Sequence, residues 1–176
     1  MSQSVVGVLS GIKHKVNILQ SSGDASDSEY SGNIKNAVIS TLRCEDVDKL
    51  CVVNVLISDD EGIREYNRDY RGIDKATDVL SFPMQMFLQA GWGGCNELEY
   101  DEDTGDLPLG DIVISFESAK RQAEEYGNSQ EYEIAYLIIH STLHLMGYDH
   151  DNETNEKAMH DKNKKIIKEL DTGPKL

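Results

Sequence analysis

Three of the chain's five histidines fall within eleven consecutive residues, HSTLHLMGYDH at 140–150. His140 and His144 are four apart in an apolar segment, YLIIHSTLHLM, which predicts a buried helix. Positions i and i+4 stack on one helical face, so both imidazoles can address one ion. Gly147 then lets the backbone leave the helix, a position that favours a residue tolerating positive φ. The returning chain can bring His150 beside the first two. Three neutral imidazoles with one open position is the arrangement of a catalytic zinc, as distinct from a closed structural site. A lone HxxxH is common in proteins, but HxxxHxxGxxH is not, and three unrelated core histidines are the weaker alternative. Asp149 stands beside the third ligand. It either accepts a hydrogen bond from a ligand ring or caps the next helix.

The spacing matches the zinc peptidase pattern HExxHxxGxxH at every metal position and fails at the glutamate, where this chain has Ser141. A serine hydroxyl cannot serve as the general base for water at neutral pH, so peptide hydrolysis by that route is disfavoured.

A second informative stretch is GIREYNRDYRGIDKATDVLSFP, residues 62–83. Arg64, Arg68, Arg71 and Lys75 recur at intervals of four, three and four, a basic stripe along a helix and its exit. The spacing alone favours a solvated face on which Glu61, Glu65 and Asp69 pair the arginines. Lys157, Lys162, Lys164, Lys165 and Lys168 form a second cluster in the last helix, again expected to be solvated.

The elements that must position these residues are legible from periodicity. Strands are expected at 13–20, 50–58, 77–83 and 109–115, the second buried on both faces. Helices are expected at 31–43, from Asp59 or Asp60 as cap to about Tyr70 with Gly72 ending it, and at 116–126, 129–146 and 152–169. Residues 21–32 read as a loop. Residues 87–108, with four glycines and the run Glu97, Glu99, Asp101, Glu102, Asp103 and Asp106, read as a mobile acidic loop. Without regular strand–helix alternation, the expectation is a single α+β domain over 1–176 with a small mixed β-sheet of about four strands.

Composition narrows the setting. The 176 residues carry 17 Lys+Arg against 32 Asp+Glu, a net charge of −15, which repels nucleic acid unless positive charge is concentrated locally. Cys44, Cys51 and Cys95 are odd in number and lack CxxC spacing, so neither a disulfide framework nor a cysteine zinc site is expected. No apolar run is long enough to span a bilayer, and no basic region precedes the short apolar stretch at the N-terminus. A cytoplasmic protein with no membrane partner is the expectation.

HSTLHLMGYDH (140–150), NRDYRGIDKATDVLSFP (67–83) and LGDIVIS (109–115), in this order, resemble the bacterial rRNA maturation factors of the YbeY family, small metal-dependent endoribonucleases. The resemblance extends from about residue 14 to 170. It implies a zincin-like fold, a small mixed sheet covered by helices with the metal site on a central helix. It also implies His140, His144 and His150 as ligands of one Zn2+, and Arg71, in the YRG of this chain, as the arginine used in RNA cleavage. The implied activity is hydrolytic cutting of single-stranded RNA in maturation of the small-subunit (16S) rRNA 3′ end and in ribosome quality control. The implied partners are a small-subunit ribosomal protein and a ribosome-assembly GTPase. Two positions depart from the family pattern: Ser141 replaces the usual glycine and Ala76 a frequent proline.

Such a zinc would lower the pKa of its water from about 16 to about 7, making hydroxide available to attack an RNA phosphate. Arg71, permanently charged and with paired donors, would hold that phosphate. This division of labour needs no glutamate base. The alternatives are a non-catalytic, zinc-containing ribosome-assembly factor, compatible with an acidic surface that meets basic ribosomal proteins, and, less favoured, a metallopeptidase.

Overall fold

The structure is a computed structural model and describes residues 12–21 and 29–172. Most of the loop expected at 21–32 therefore lies outside the described residues. In chain order the elements are β1 (Lys15–Gln20), α1 (Ser31–Cys44), β2 (Cys51–Ser58), α2 (Asp60–Arg71), β3 (Val79–Pro83), a 3-10 turn (Trp92–Gly94), β4 (Leu107–Ser115), α3 (Phe116–Tyr126), α4 (Gln130–Leu145) and α5 (Glu153–Thr172). The four strands form one mixed sheet in the order β1-β2-β4-β3. β1, β2 and β4 run parallel, and β3 pairs antiparallel with β4 at the edge. This is the α+β arrangement expected from the sequence.

The two faces of the sheet are unequal. On one, Val53, Val55, Ile57, Ile112 and Ile114 join the apolar sides of α1, α4 and α5 in the main core. On the other, Leu56, Leu80 and Val113 join Ile63, Tyr66, Ala76 and Phe82 in a small cluster under α2. β2 is accordingly not buried on both faces: its outward Val52, Asn54 and Leu56 are half-buried. A polar ladder explains part of this exposure. Asn17 donates to Asn54 at 2.9 Å, and Asn54 donates to Asp111 at 2.8 Å, so one strip of the outer face holds two amides and a carboxylate where a covered sheet would hold aliphatics.

α4 is apolar nearly all round, as a helix enclosed by its neighbours must be. Ile134, Ile138, Ile139, Leu143 and Leu145 are fully buried. Ser129 caps its start by accepting from the Tyr132 N–H at 3.1 Å. Its end comes close to the sheet at Gly110, where a Cβ would lie 2.4 Å from the Phe82 carbonyl oxygen and 2.7 Å from Leu145. Only glycine permits that approach, and with φ near +151° only glycine adopts the backbone easily.

α2 begins at the cap Asp59, whose carboxylate accepts from the Gly62 N–H at 2.8 Å, and ends at Gly72 in the left-handed conformation. β3 starts at Val79, two residues later than expected. β4 starts at Leu107, two residues earlier, because the fully buried Leu107 already belongs to the core.

Residues 87–106 are laid against the body at named points. Trp92 Nε1 donates to Asp48 at 2.8 Å, the Gly91 N–H donates to the Met146 carbonyl at 2.9 Å, and the Gln85 side chain bridges Glu99 and Pro108. At the acidic end, Asp106 pairs with Lys15 at 2.6 Å, at the β1 edge of the sheet, the opposite edge from β3.

Candidate metal centre and RNA cleft

α4 and α2 lie on opposite faces of the sheet, yet both reach the edge strand β3. A cleft of about 1080 Å³ opens along that edge. Val79–Pro83 line it, with Arg71 from the end of α2 and His140, His144 and His150 from α4 and the loop after it.

The histidines converge as their spacing predicts. His140 and His144 are half-buried on one face of α4, and His150 is exposed on the loop. One ring nitrogen from each lies within 4.8 Å of the others. Nε2 of His140 and Nε2 of His144 are 3.1 Å apart, too close to be separate pockets and suited to a shared ion. Burial and the neighbouring imidazoles push the His140 ring down to about 4, so it is neutral at pH 7 with its lone pair available. Burial likewise lowers His144. Three imidazole nitrogens meeting at one point fit a borderline cation such as zinc.

The loop that delivers His150 is folded back on the helix it leaves. Gly147 adopts φ near +80°. The N–H of Gly147 donates to His144 O at 3.0 Å, and the N–H of Tyr148 donates to Leu143 O at 3.2 Å. This places the Tyr148 carbonyl 2.7 Å from His144 Nδ1, leaving Nε2 to face the other rings. Orientation of a ligand ring through its far nitrogen is the usual second contact of metal-binding histidines.

Tyr148 is itself clamped. Its hydroxyl donates to Glu45 Oε2 at 2.8 Å and accepts from Lys162 Nζ at 2.5 Å, while Lys162 also pairs with Glu45 Oε1. The Glu45 side chain is only 4% exposed. Burial would lower the Lys162 ammonium, but the bonds to Glu45 and Tyr148 outweigh it and hold the pKa raised. The root of the acidic segment closes the same cluster. A Cβ on Gly147 would lie 2.6 Å from Phe87, and one on Gly91 would lie 2.8 Å from Glu45.

Several sequence expectations resolve here. Asp149 neither bonds a ligand ring nor caps α5. Its carboxylate accepts from the N–H of His150 at 2.7 Å, and Asn152 takes the cap by accepting from the Asn155 N–H at 3.0 Å. Ser141 is fully buried in α4, and its hydroxyl has no hydrogen-bond partner among the described residues. It offers no base at the cleft. The basic stripe divides: Arg64 makes two bonds to Asp74, at 2.7 and 3.0 Å, and Arg68 pairs with Asp69. Arg71 lines the cleft and pairs with no carboxylate among the described residues. Of the second cluster, Lys162 serves the clamp and Lys164 lines the cleft. None of the acidic residues at 97–106 is among the residues lining it.

Sequence reasoning missed Asp78, which also lines the cleft and whose negative charge acts on His140. Its carboxylate accepts from the Val79 N–H at 2.8 Å and from Gln122 at 2.9 Å, which fixes it at the head of β3. The Glu45–Tyr148–Lys162 cluster was also unseen, since its members are scattered in sequence.

Comparison with known proteins identifies the family of the chain. The sequence pattern of the family described as Endoribonuclease YbeY matches residues 15–171. A protein of Caldanaerobacter subterraneus subsp. tengcongensis named Endoribonuclease YbeY is 46% identical over 137 residues, covering 78% of this chain and 85% of that protein. One of the same name from Agathobacter rectalis is 42% identical over 146 residues, covering 81% and 88%. The solution structure of TM1509 from Thermotoga maritima superposes with a TM-score of 0.56 at 31% identity, covering 88% of both chains. With the pattern matched across nearly its whole length and relatives this similar, the chain belongs to the Endoribonuclease YbeY family.

Proposed function

We propose that this protein is a zinc-dependent, single-strand-specific endoribonuclease acting in small-subunit (16S) rRNA 3′-end maturation and ribosome quality control. The observation that carries the reading is the meeting of Arg71 with the three histidines in one cleft, from opposite faces of the sheet. His140, His144 and His150 are the residues that would hold the ion. When bound, zinc supplies hydroxide at neutral pH and polarises a phosphoryl oxygen.

The rest falls to the chain's own groups. Arg71 grips a phosphate with two donors and offsets its developing negative charge. Among the described residues its guanidinium pairs with no carboxylate, which leaves it available to a phosphate. The Tyr148 carbonyl holds the His144 ring in register. Asp78 favours a cation at His140 over an empty pair of imidazoles.

The same reading extends to partners by family resemblance: a small-subunit ribosomal protein and a ribosome-assembly GTPase. The acidic residues at 97–106 have the charge to meet a basic ribosomal protein. A cytoplasmic setting is supported by three free cysteines, of which Cys44 and Cys51 have thiols pushed up to about 12 by burial. Among the described residues no helix is long and apolar enough to cross a membrane.

The net charge of −15 favours, as a second reading, an assembly factor that binds without cutting. Cells carrying Arg71→Ala separate the two. Accumulated 3′-extended small-subunit rRNA, with the variant protein folded and metal-loaded, supports catalysis. Normal rRNA ends in those cells support the assembly factor.

A further inference from the structure

A polyanion entering this cleft finds little to attract it. The cationic side chains lining it are Arg71 and Lys164, set against the carboxylates of Asp78, Glu133 and Asp149. Even a dication at the histidines leaves the cleft barely positive. Affinity for nucleic acid usually comes from several lysines and arginines displacing counterions from phosphates, and that supply is missing here. Binding energy must come largely from elsewhere, and the bases are the remaining part of the strand.

The cleft offers them an aromatic surface. Tyr70, the residue before Arg71, is 69% exposed and lines the cleft. Its ring is nonetheless held: it stacks on Tyr66 at 6.0 Å with planes 11° apart and meets the edge of Phe82 at 5.2 Å. Tyr66 and Phe82 are in turn packed on the small core under α2. An exposed ring that its neighbours have already fixed loses little freedom when a flat partner settles on it.

We infer that Tyr70 is a stacking site for one nucleobase of the single-stranded substrate, the base adjoining the phosphate held by Arg71. The inference rests on the RNA-cleaving reading above and adds the part of the substrate recognised. It also explains a preference for single strands, because a base paired within a duplex cannot present its face to a side chain. Tyr70 positions the substrate and takes no part in bond breaking.

The test is a cycle between protein and substrate, using zinc-loaded, full-length protein. A labelled single-stranded oligoribonucleotide is prepared intact and with one abasic residue moved stepwise along it. Each is titrated against wild type, Tyr70→Leu and Tyr70→Phe, and KM and kcat are measured separately. One abasic position should raise the wild-type KM about 10-fold, within the range of base–aromatic stacking. Tyr70→Leu should cost about the same on the intact strand, chiefly in KM, and nothing further on that abasic strand. Tyr70→Phe should restore wild-type behaviour. The salt dependence of binding should be shallow, with a log–log slope of about −1.4 for two phosphate contacts.

Multiplying penalties, an unchanged KM in Tyr70→Leu, or failure of Tyr70→Phe to restore binding would each overturn the stacking site. The abasic scan on wild type needs no variant to fold, and a flat scan refutes the proposal by itself. A wild type that neither binds nor cuts any strand refutes the RNA reading as well, which is a distinguishable result.

Discussion

The Tyr148 carbonyl oxygen lies 2.7 Å from Nδ1 of His144, and the same tyrosine's hydroxyl sits between Glu45 and Lys162. One residue thus ties the middle histidine of the triad to α1 and α5. The orientation of a candidate metal-binding ring is thereby linked to an ion pair whose two members lie 117 positions apart in sequence.

Breaking that tie should loosen the metal before it unfolds the protein. Tyr148→Phe is expected to weaken zinc binding about 10-fold, the lower end of losses at such outer contacts. Lys162→Met, which strands a buried carboxylate, should in addition cost roughly 3 kcal/mol of stability. Competition against a chromophoric chelator measures the first, and denaturant unfolding of metal-free protein the second. Unchanged zinc affinity in both variants would remove the clamp from the account of the site.

Gly147 is the turn that brings His150 back. Gly147→Ala must hold a side chain at positive φ, which costs roughly 1–2 kcal/mol, and must also displace Phe87, 2.6 Å from the new Cβ. A lowered Tm together with reduced zinc content by elemental analysis is the expected outcome. Loss of stability with full zinc content would mean that the loop tolerates another path.

How much of this could be read from the sequence depended on separation along the chain. The triad was legible because helical spacing and one glycine decide it locally. β2 was misjudged because its apolar run hides Asn54, whose amide partners come from two other strands. The arginine stripe looked uniform, and only the fold distinguishes Arg64 and Arg68, which are paired, from Arg71 at the cleft. Glycines and acidic residues made 87–108 read as a mobile acidic loop. That composition concealed Phe87 and Gly91, which pack on the metal loop.

Ser141 is fully buried in α4, and its hydroxyl has no partner among the described residues. Ser141→Ala should therefore stabilise the protein by about 1 kcal/mol, from relief of an unsatisfied polar group and better helix propensity. Zinc content should not change. Thermal unfolding checks this, and a fall in Tm would reveal a partner for the hydroxyl.

Below about pH 4, acid should act on the junction of α2 and α3. Burial alone would raise the Asp60 carboxyl, but bonds from Arg121, Ser115 and Ser118 prevail and hold it at about 2, below the usual 3.8. The folded state therefore binds this proton less readily than the unfolded chain. The stabilisation is present above pH 3.8 and is lost as pH falls toward 2. Asp60→Asn should flatten that part of the stability–pH curve, measured on metal-free protein. A curve parallel to wild type would show that the network contributes nothing to acid sensitivity.

The most direct test of the central claim is cleavage of a labelled single-stranded RNA spanning the small-subunit rRNA 3′ end. Zinc-loaded wild type would be compared with His144→Ala and Arg71→Ala prepared identically. Wild type is expected to cut, His144→Ala to lose both metal and cutting, and Arg71→Ala to keep its metal but lose most turnover. Equal cutting by all three proteins, or an Arg71→Ala that cuts as wild type does, would contradict it.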